Sequence, residues 1–203
     1  MKIGRFTIEQ LSEGQFEFHK GGHYRRLESD SPDPSPPGGS IRRGTTILGI
    51  GPVLVQSEDY RLLLDTGLGW GMDAGSHYGD ISNVKTNLEI FDLQPGDITD
   101  VILSHLHYDH AAGSTYVDAA SRTSPTFPNA TYHLHREEWE FALSHVESGD
   151  SPPIGSEYHL DEIYRLAADN RMNLIESDHL EILPGVDIVK TGGHTPGHLA
   201  VTI

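Results

Sequence analysis

Ser104-His105-Leu106-His107-Tyr108-Asp109-His110 decides how this chain is read. It places four metal-capable side chains, His105, His107, Asp109 and His110, within six residues. The apolar run Val101-Ile102-Leu103 directly before it has the length and composition of a short buried strand. A strand carries the chain to one edge of a sheet, and the loop that follows can turn several side chains inward. Neutral imidazoles beside a carboxylate suit zinc or a similar divalent ion, and this mixture suits a pair of ions better than one. A chance surface cluster is the alternative in a chain with 13 histidines. Against it, the alternation, the Asp-His ending and the preceding strand coincide.

Downstream, Thr191-Gly192-Gly193-His194-Thr195-Pro196-Gly197-His198 follows another strand-like segment, Val186-Asp187-Ile188-Val189. Its glycines let the backbone turn tightly and Pro196 stiffens it, so an imidazole can be held at a fixed angle. Alone it is a turn carrying two histidines. Beside the upstream cluster it supplies a candidate third ligand, His194, with His198 in a supporting or structural place. Upstream, Arg61-Leu62-Leu63-Leu64-Asp65-Thr66-Gly67 is an apolar run ending in an acid, a hydroxyl and a glycine, as a strand ends at the mouth of a site. Asp65 can cap the turn. It can also orient a ligand histidine, since metal-bound imidazoles usually donate their other N–H to such an acceptor.

With these three pieces in view, the chain resembles the metallo-β-lactamase superfamily of metal hydrolases, in order and spacing from about Ile47 onward. The resemblance implies an α/β fold, the αββα sandwich of that superfamily. It implies that His105, His107 and His194 hold one metal and that Asp109 with His110 holds the second, two Zn2+ ions in a complete domain. A metal-bound water or hydroxide would be the nucleophile, with Asp109 or the superfamily's bridging aspartate, which this sequence lacks, handling the proton. Two cations lower the pKa of a shared water and polarise the oxygen under attack.

Within the superfamily, His105-Leu106-His107-Tyr108-Asp109-His110-Ala111-Ala112-Gly113, Phe127-Pro128-Asn129-Ala130 and Arg136-Glu137-Glu138-Trp139 are most similar to the lactonase group. That group includes N-acyl homoserine lactone hydrolases and, close by, organophosphate hydrolases. His110 sets the chain apart from lactamases whose motif lacks that histidine. His107 sets it apart from the di-iron electron-transfer branch, which favours a carboxylate there. The implied activity is opening a lactone or cleaving an ester of a small molecule. Phosphoester hydrolysis and an inactive metal-binding fragment are the alternatives.

The superfamily's bridging aspartate and last histidine come after the Gly-His turn, whereas this sequence ends on the strand-like run Leu199-Ala200-Val201-Thr202-Ile203. The expectation is one domain over residues 1–203, incomplete at its C-terminus. Its open strand edge could be capped by a partner such as a second copy of the chain.

Composition sets bounds on partners. A chain of 203 residues can bury one sizeable core. The net charge of -16 argues against nucleic acid or an anionic membrane surface as a partner. It leaves phosphate esters open, because bound metal dominates the local field. The absence of cysteine excludes disulfides and thiolate ligands. Met1-Lys2-Ile3-Gly4-Arg5 lacks the apolar core of a signal peptide and no run is long enough to span a membrane, so the cytoplasm is the expected location.

Along the chain, Lys2–Gln10 and Gln15–His19 read as two strands of a hairpin, and Thr45–Ser57 with Tyr60–Asp65 as another strand pair. Residues 29–40 form a Pro/Gly/Ser loop, either a surface excursion or a flap over the site. Asn83–Leu93 suits an amphipathic helix with Val84, Leu88, Ile90 and Phe91 inward. Ala130–Leu134 reads as a strand, Arg136–His145 and Leu160–Asn170 as helices, and residues 148–156 as a second Pro/Gly loop. Trp139 and Leu143, one turn apart, face the core. His133, His135, His145, His159 and His179 lack ligand-like spacing and read as surface or packed residues. No phosphate-binding glycine loop, dinucleotide fingerprint or nucleophile elbow is present.

Overall fold

The structure is a computed structural model that describes residues 1–19, 23–27, 45–78, 81–147, 158 and 160–203. Runs rich in Val, Ile and Leu assemble into a seven-stranded sheet. Its order is β1 (Lys2–Ile3), β2 (Phe6–Gln10), β6 (Val53–Gln56), β7 (Arg61–Leu64), β8 (Asp100–Ile102), β11 (Thr131–His135) and β12 (Met172–Ile175). The first four strands pair antiparallel, and β7, β8, β11 and β12 run parallel. Parallel neighbours require crossover connections. Helix α1 (Val84–Glu89) lies in the first, α2 (Tyr108–Ala111) in the second, and α3 (Arg136–Glu147) with α4 (Leu160–Ala168) in the third.

Side-chain alternation along these strands builds a core on each face. Leu63, Val101, Leu103, Tyr132 and Leu134 pack with Val84, Leu88, Ala142 and Leu166 of the helices. Their neighbours Leu62, Ile102 and Ile175 point the other way, onto Val186, Ile188 and Leu199. Those three belong to a second antiparallel sheet of β13 (His179–Leu183), β14 (Val186–Lys190) and β15 (Leu199–Thr202), with β14 central. Helices, sheet and sheet make a layered α/β sandwich. Burying each such leucine contributes about 1.5–3 kcal/mol, so both layers are held firmly to the central sheet.

A third sheet, β3 (Gly14–His19) flanked by β4 (His23–Leu27) and β5 (Thr45–Ile50), packs Phe16 and Ile50 on Leu68. A hairpin of β9 (Thr115–Val117) and β10 (Thr123–Pro125) lies beside α4.

Several local readings change here. Lys2–Gln10 does not pair with Gln15–His19: β2 pairs with β6, while β3 joins β4 and β5 in a separate sheet. Thr45–Ser57 is two strands parted at Gly51-Pro52, because proline has no N–H for a ladder. Helix α1 is shorter than Asn83–Leu93; Asn83 caps it, its side chain accepting the Thr86 N–H at 3.0 Å. Ile90 lies past the last turn and is 72% exposed rather than inward. Trp139 and Leu143 do pack against the core. Residues 29–40 and 148–156, His159 and the side chain of His145 lie outside the described residues. Among the described residues, no helix is long and apolar enough to cross a membrane.

Candidate metal centre

Strand β7 delivers Asp65 beyond its C-terminal end, where open α/β sheets hold their ligands. Asp65 has a φ of 59°, a left-handed conformation that aspartate tolerates because its short side chain finds local partners. Here the partners belong to the neighbouring loop. Oδ1 accepts the Ser104 N–H at 2.7 Å, and Oδ2 accepts the Ser104 hydroxyl at 2.9 Å and lies 2.7 Å from His110 Nδ1. Thr66, next in line, donates its N–H to the His110 carbonyl at 2.7 Å and its hydroxyl to the same oxygen at 3.1 Å. One turn thus fixes the short helix α2 that carries Asp109 and His110. The fit is close: a Cβ at Gly113 would lie 2.1 Å from the Thr66 carbonyl oxygen.

Strand β8 delivers His105 and His107, and the connection from β14 to β15 delivers His194. His105 Nε2 lies 3.1 Å from His107 Nδ1, which lies 3.0 Å from His194 Nε2. Tetrahedral zinc with Zn–N bonds of ~2.0–2.1 Å sets its ligand atoms about 3.3 Å apart. These two spacings are close to that, and the group of three could hold a single ion. They are the one group of three such side chains among the described residues whose ligand atoms all lie within 4.8 Å. Exposure rises from buried His105 through half-buried His107 to exposed His194, which leaves one side open to solvent. Burial, then the neighbouring His110, His107, His194 and His198, push the His105 pKa down to about 2. The ring is therefore neutral at physiological pH, as a ligand must be. Ser104 Oγ, 2.9 Å from His105 Nδ1, holds its orientation.

Asp109 and His110 make a second pair of donors, with His110 Nε2 and Asp109 Oδ2 3.7 Å apart. Burial lowers the His110 pKa, but the hydrogen bond to Asp65 and the charges of Asp65 and Asp109 outweigh it and hold the ring above its ordinary value. Among the described residues no third such side chain joins this pair into a group of its own. His198 closes the β14–β15 turn: its carbonyl accepts the Thr191 N–H at 2.8 Å and its Nδ1 lies 2.7 Å from Thr191 Oγ1. Its ring centroid is 5.2 Å from that of His105, and burial lowers its pKa. The Leu199 N–H donates to the Ser104 carbonyl at 2.9 Å and ties β15 to the histidine loop.

The structure therefore brings Asp65, His105, His107, Asp109, His110, His194 and His198 to one place. His133 stays apart, buried with Asp100 at 2.9 Å and Asn173 at 3.0 Å, and His179 is exposed. Tyr108 packs on the cluster of Phe16, Ile50 and Leu68. Two neighbours were missed in the sequence. Tyr158 sets its ring centroid 5.1 Å from that of His107, and nothing local in the sequence signals it. Glu138 is fully buried and accepts the Leu106 N–H. Its trace in the sequence was a pair of acids opening a helix, which reads as an ordinary match to the helix dipole.

The family profile described as Metallo-beta-lactamase superfamily matches residues 52–203. The chain belongs to that superfamily. Among curated superfamily relatives, N-acyl homoserine lactonase AiiA of Bacillus thuringiensis subsp. kurstaki is 28% identical over 166 residues, 74% of this chain and 56% of that protein. N-acyl homoserine lactonase AiiB of Agrobacterium fabrum is 30% identical over 125 residues, 60% of this chain and 41% of that protein. The chain thus spans little more than half the length of the first of these relatives. A probable metal-dependent hydrolase from Staphylococcus aureus superposes with a TM-score of 0.68 at 27% identity, over 99% of this chain and 69% of that one. AidC, a dizinc quorum-quenching lactonase, shares the superfamily fold with a TM-score of 0.67 at 19% identity, over 100% of this chain and 69% of that one.

Proposed function

We propose that this chain is the metal-binding part of a metal-dependent hydrolase that opens a lactone or cleaves an ester in a small molecule. The convergence of His105 Nε2, His107 Nδ1 and His194 Nε2 carries the reading. These three would hold one divalent ion, with zinc suited to the all-imidazole set, and Asp109 with His110 would hold a second. Bound there, such ions supply Lewis acidity that polarises a carbonyl and acidifies water. The chain's own residues do the rest. Asp65 and Ser104 hold the Nδ1 sides of His110 and His105, and the Nε2 atoms lie toward Asp109 and His107. Asp109, beside His110 Nε2, is the carboxylate placed to take a proton and return it to the departing alkoxide. The exposed edge at His194 admits the substrate. Lactones come before phosphoesters because the curated relatives include N-acyl homoserine lactonases.

The test is elemental analysis of the purified 203-residue chain after dialysis, followed by lactone, ester and phosphotriester assays. Bound metal with lactone or ester turnover, both lost in His107→Ala, is the expected result. Turnover of the phosphotriester alone would replace the reading with phosphoester hydrolysis. Metal without turnover would leave a binding fragment, and no metal would end the proposal.

A further inference from the structure

Glu138 stands in the first turn of α3 with no solvent exposure. Its Oε1 accepts, at 3.0 Å, the amide N–H of Leu106, the residue between His105 and His107. Its Oε2 is buried and has no hydrogen-bond partner among the described residues. The loop carrying His194 and His198 presses on it from the other side. A Cβ at Gly197 would lie 2.2 Å from the Glu138 backbone nitrogen and 2.6 Å from its Cβ. Thr195 Oγ1, two residues earlier, is likewise buried without a partner among the described residues. One carboxylate therefore sits where both histidine-bearing loops meet.

Helix-dipole complementation does not account for this placement. Glu137, exposed and 2.9 Å from Lys190 Nζ, already serves that purpose at the surface. A buried carboxylate is costly when opposite charge is lacking, and one amide donor offsets only part of that. A divalent ion held by three neutral imidazoles brings to the same wall positive charge that those three ligands do not balance. Each lacks what the other has.

We propose that Glu138 is a positioning residue of the metal centre: it holds the His105–His107 turn and its buried charge balances part of the cation's. It touches no reacting atom and adds no ligand. This rests on the metal site proposed above and assigns it a further determinant.

Glu138→Gln keeps the shape and an oxygen for the Leu106 N–H while removing the charge. Zinc affinity of the full chain would be measured by competition with a chelating dye, beside thermal melting of the metal-free protein. The variant is expected to bind zinc about 10–100-fold more weakly, yet to melt, metal-free, at or above the parent's temperature, since an unbalanced buried charge has gone. Glu138→Asp, with the charge retained, should bind zinc more tightly than Glu138→Gln. Zinc affinity equal to the parent's in Glu138→Gln would overturn the role of Glu138 while leaving the metal site intact. Weaker binding accompanied by lost metal-free stability would reduce Glu138 to a packing residue and overturn it too. A parent chain that binds no zinc would overturn both proposals together.

Discussion

His107 offers one nitrogen to two neighbours, since its Nδ1 lies 3.1 Å from His105 Nε2 and 3.0 Å from His194 Nε2. Its removal breaks the group at the middle. His107→Ala should strip metal from the purified protein, whereas His179→Ala, at an exposed strand position, should not. Elemental analysis after dialysis measures both, and equal losses would remove the histidine trio as the binding group. Glu13 offers a different residue-level test. It is buried and accepts the N–H groups of Leu68 at 2.8 Å, Gly69 at 3.4 Å and Val84 at 3.0 Å, pinning the turn after Asp65 to the start of α1. Burial, opposed by those donors and Arg26, raises its pKa from 4.5 to about 7. The folded protein then keeps a proton that the unfolded chain releases. The stability this supplies is full below pH 4.5 and is lost as the pH rises to about 7. Melting of the metal-free protein should fall across that window, and Glu13→Gln should flatten the slope. The same slope in both proteins would exonerate Glu13.

At the scale of elements, α2 depends on how closely it rests on the turn after β7. Gly113→Ala would drive a methyl into the Thr66 carbonyl, a backbone atom that cannot swing away. The expected cost is about 1–3 kcal/mol with weakened metal binding, because Asp109 and His110 ride on the displaced segment. Gly75→Ala, with no atom within 4 Å of the added carbon, should be close to neutral in both denaturant melts and metal content. Comparable losses at the two positions would mean that contact with the turn is unimportant. This scale also shows what the sequence could convey. The run Leu62-Leu63-Leu64 and the run Val101-Ile102-Leu103 announce strands, because apolar continuity is a local property. Their partners are not local. Gln15–His19 pairs equally well by pattern with Lys2–Gln10, yet it joins β4 and β5 in another sheet, where Phe16 packs on Leu68. Ile90 fits a helical stripe on paper, but the helix ends at Glu89.

At the scale of the whole molecule, the candidate site was legible because the side chains that meet there are rare residue types in tight motifs. His105, His107, Asp109, His110 and His194 advertise themselves even when 87 residues separate His107 from His194. Glu138 and Glu13 were not legible, since a buried acid looks like a surface acid until its distant backbone donors are known. The separation of 87 residues has a consequence of its own. The central sheet contributes His105 and His107, while His194 arrives on the β14–β15 turn of the second sheet. An ion shared among them would be a staple between layers, closing a long loop whose entropy cost grows only as about (3/2)RT ln n. Removing it should let the second sheet breathe away from the first before the rest of the fold loosens. Amide hydrogen exchange followed with and without chelator would register this as faster exchange in β14 and β15 and little change in β6 and β7. Uniform acceleration in all four strands would mean that the layers open together.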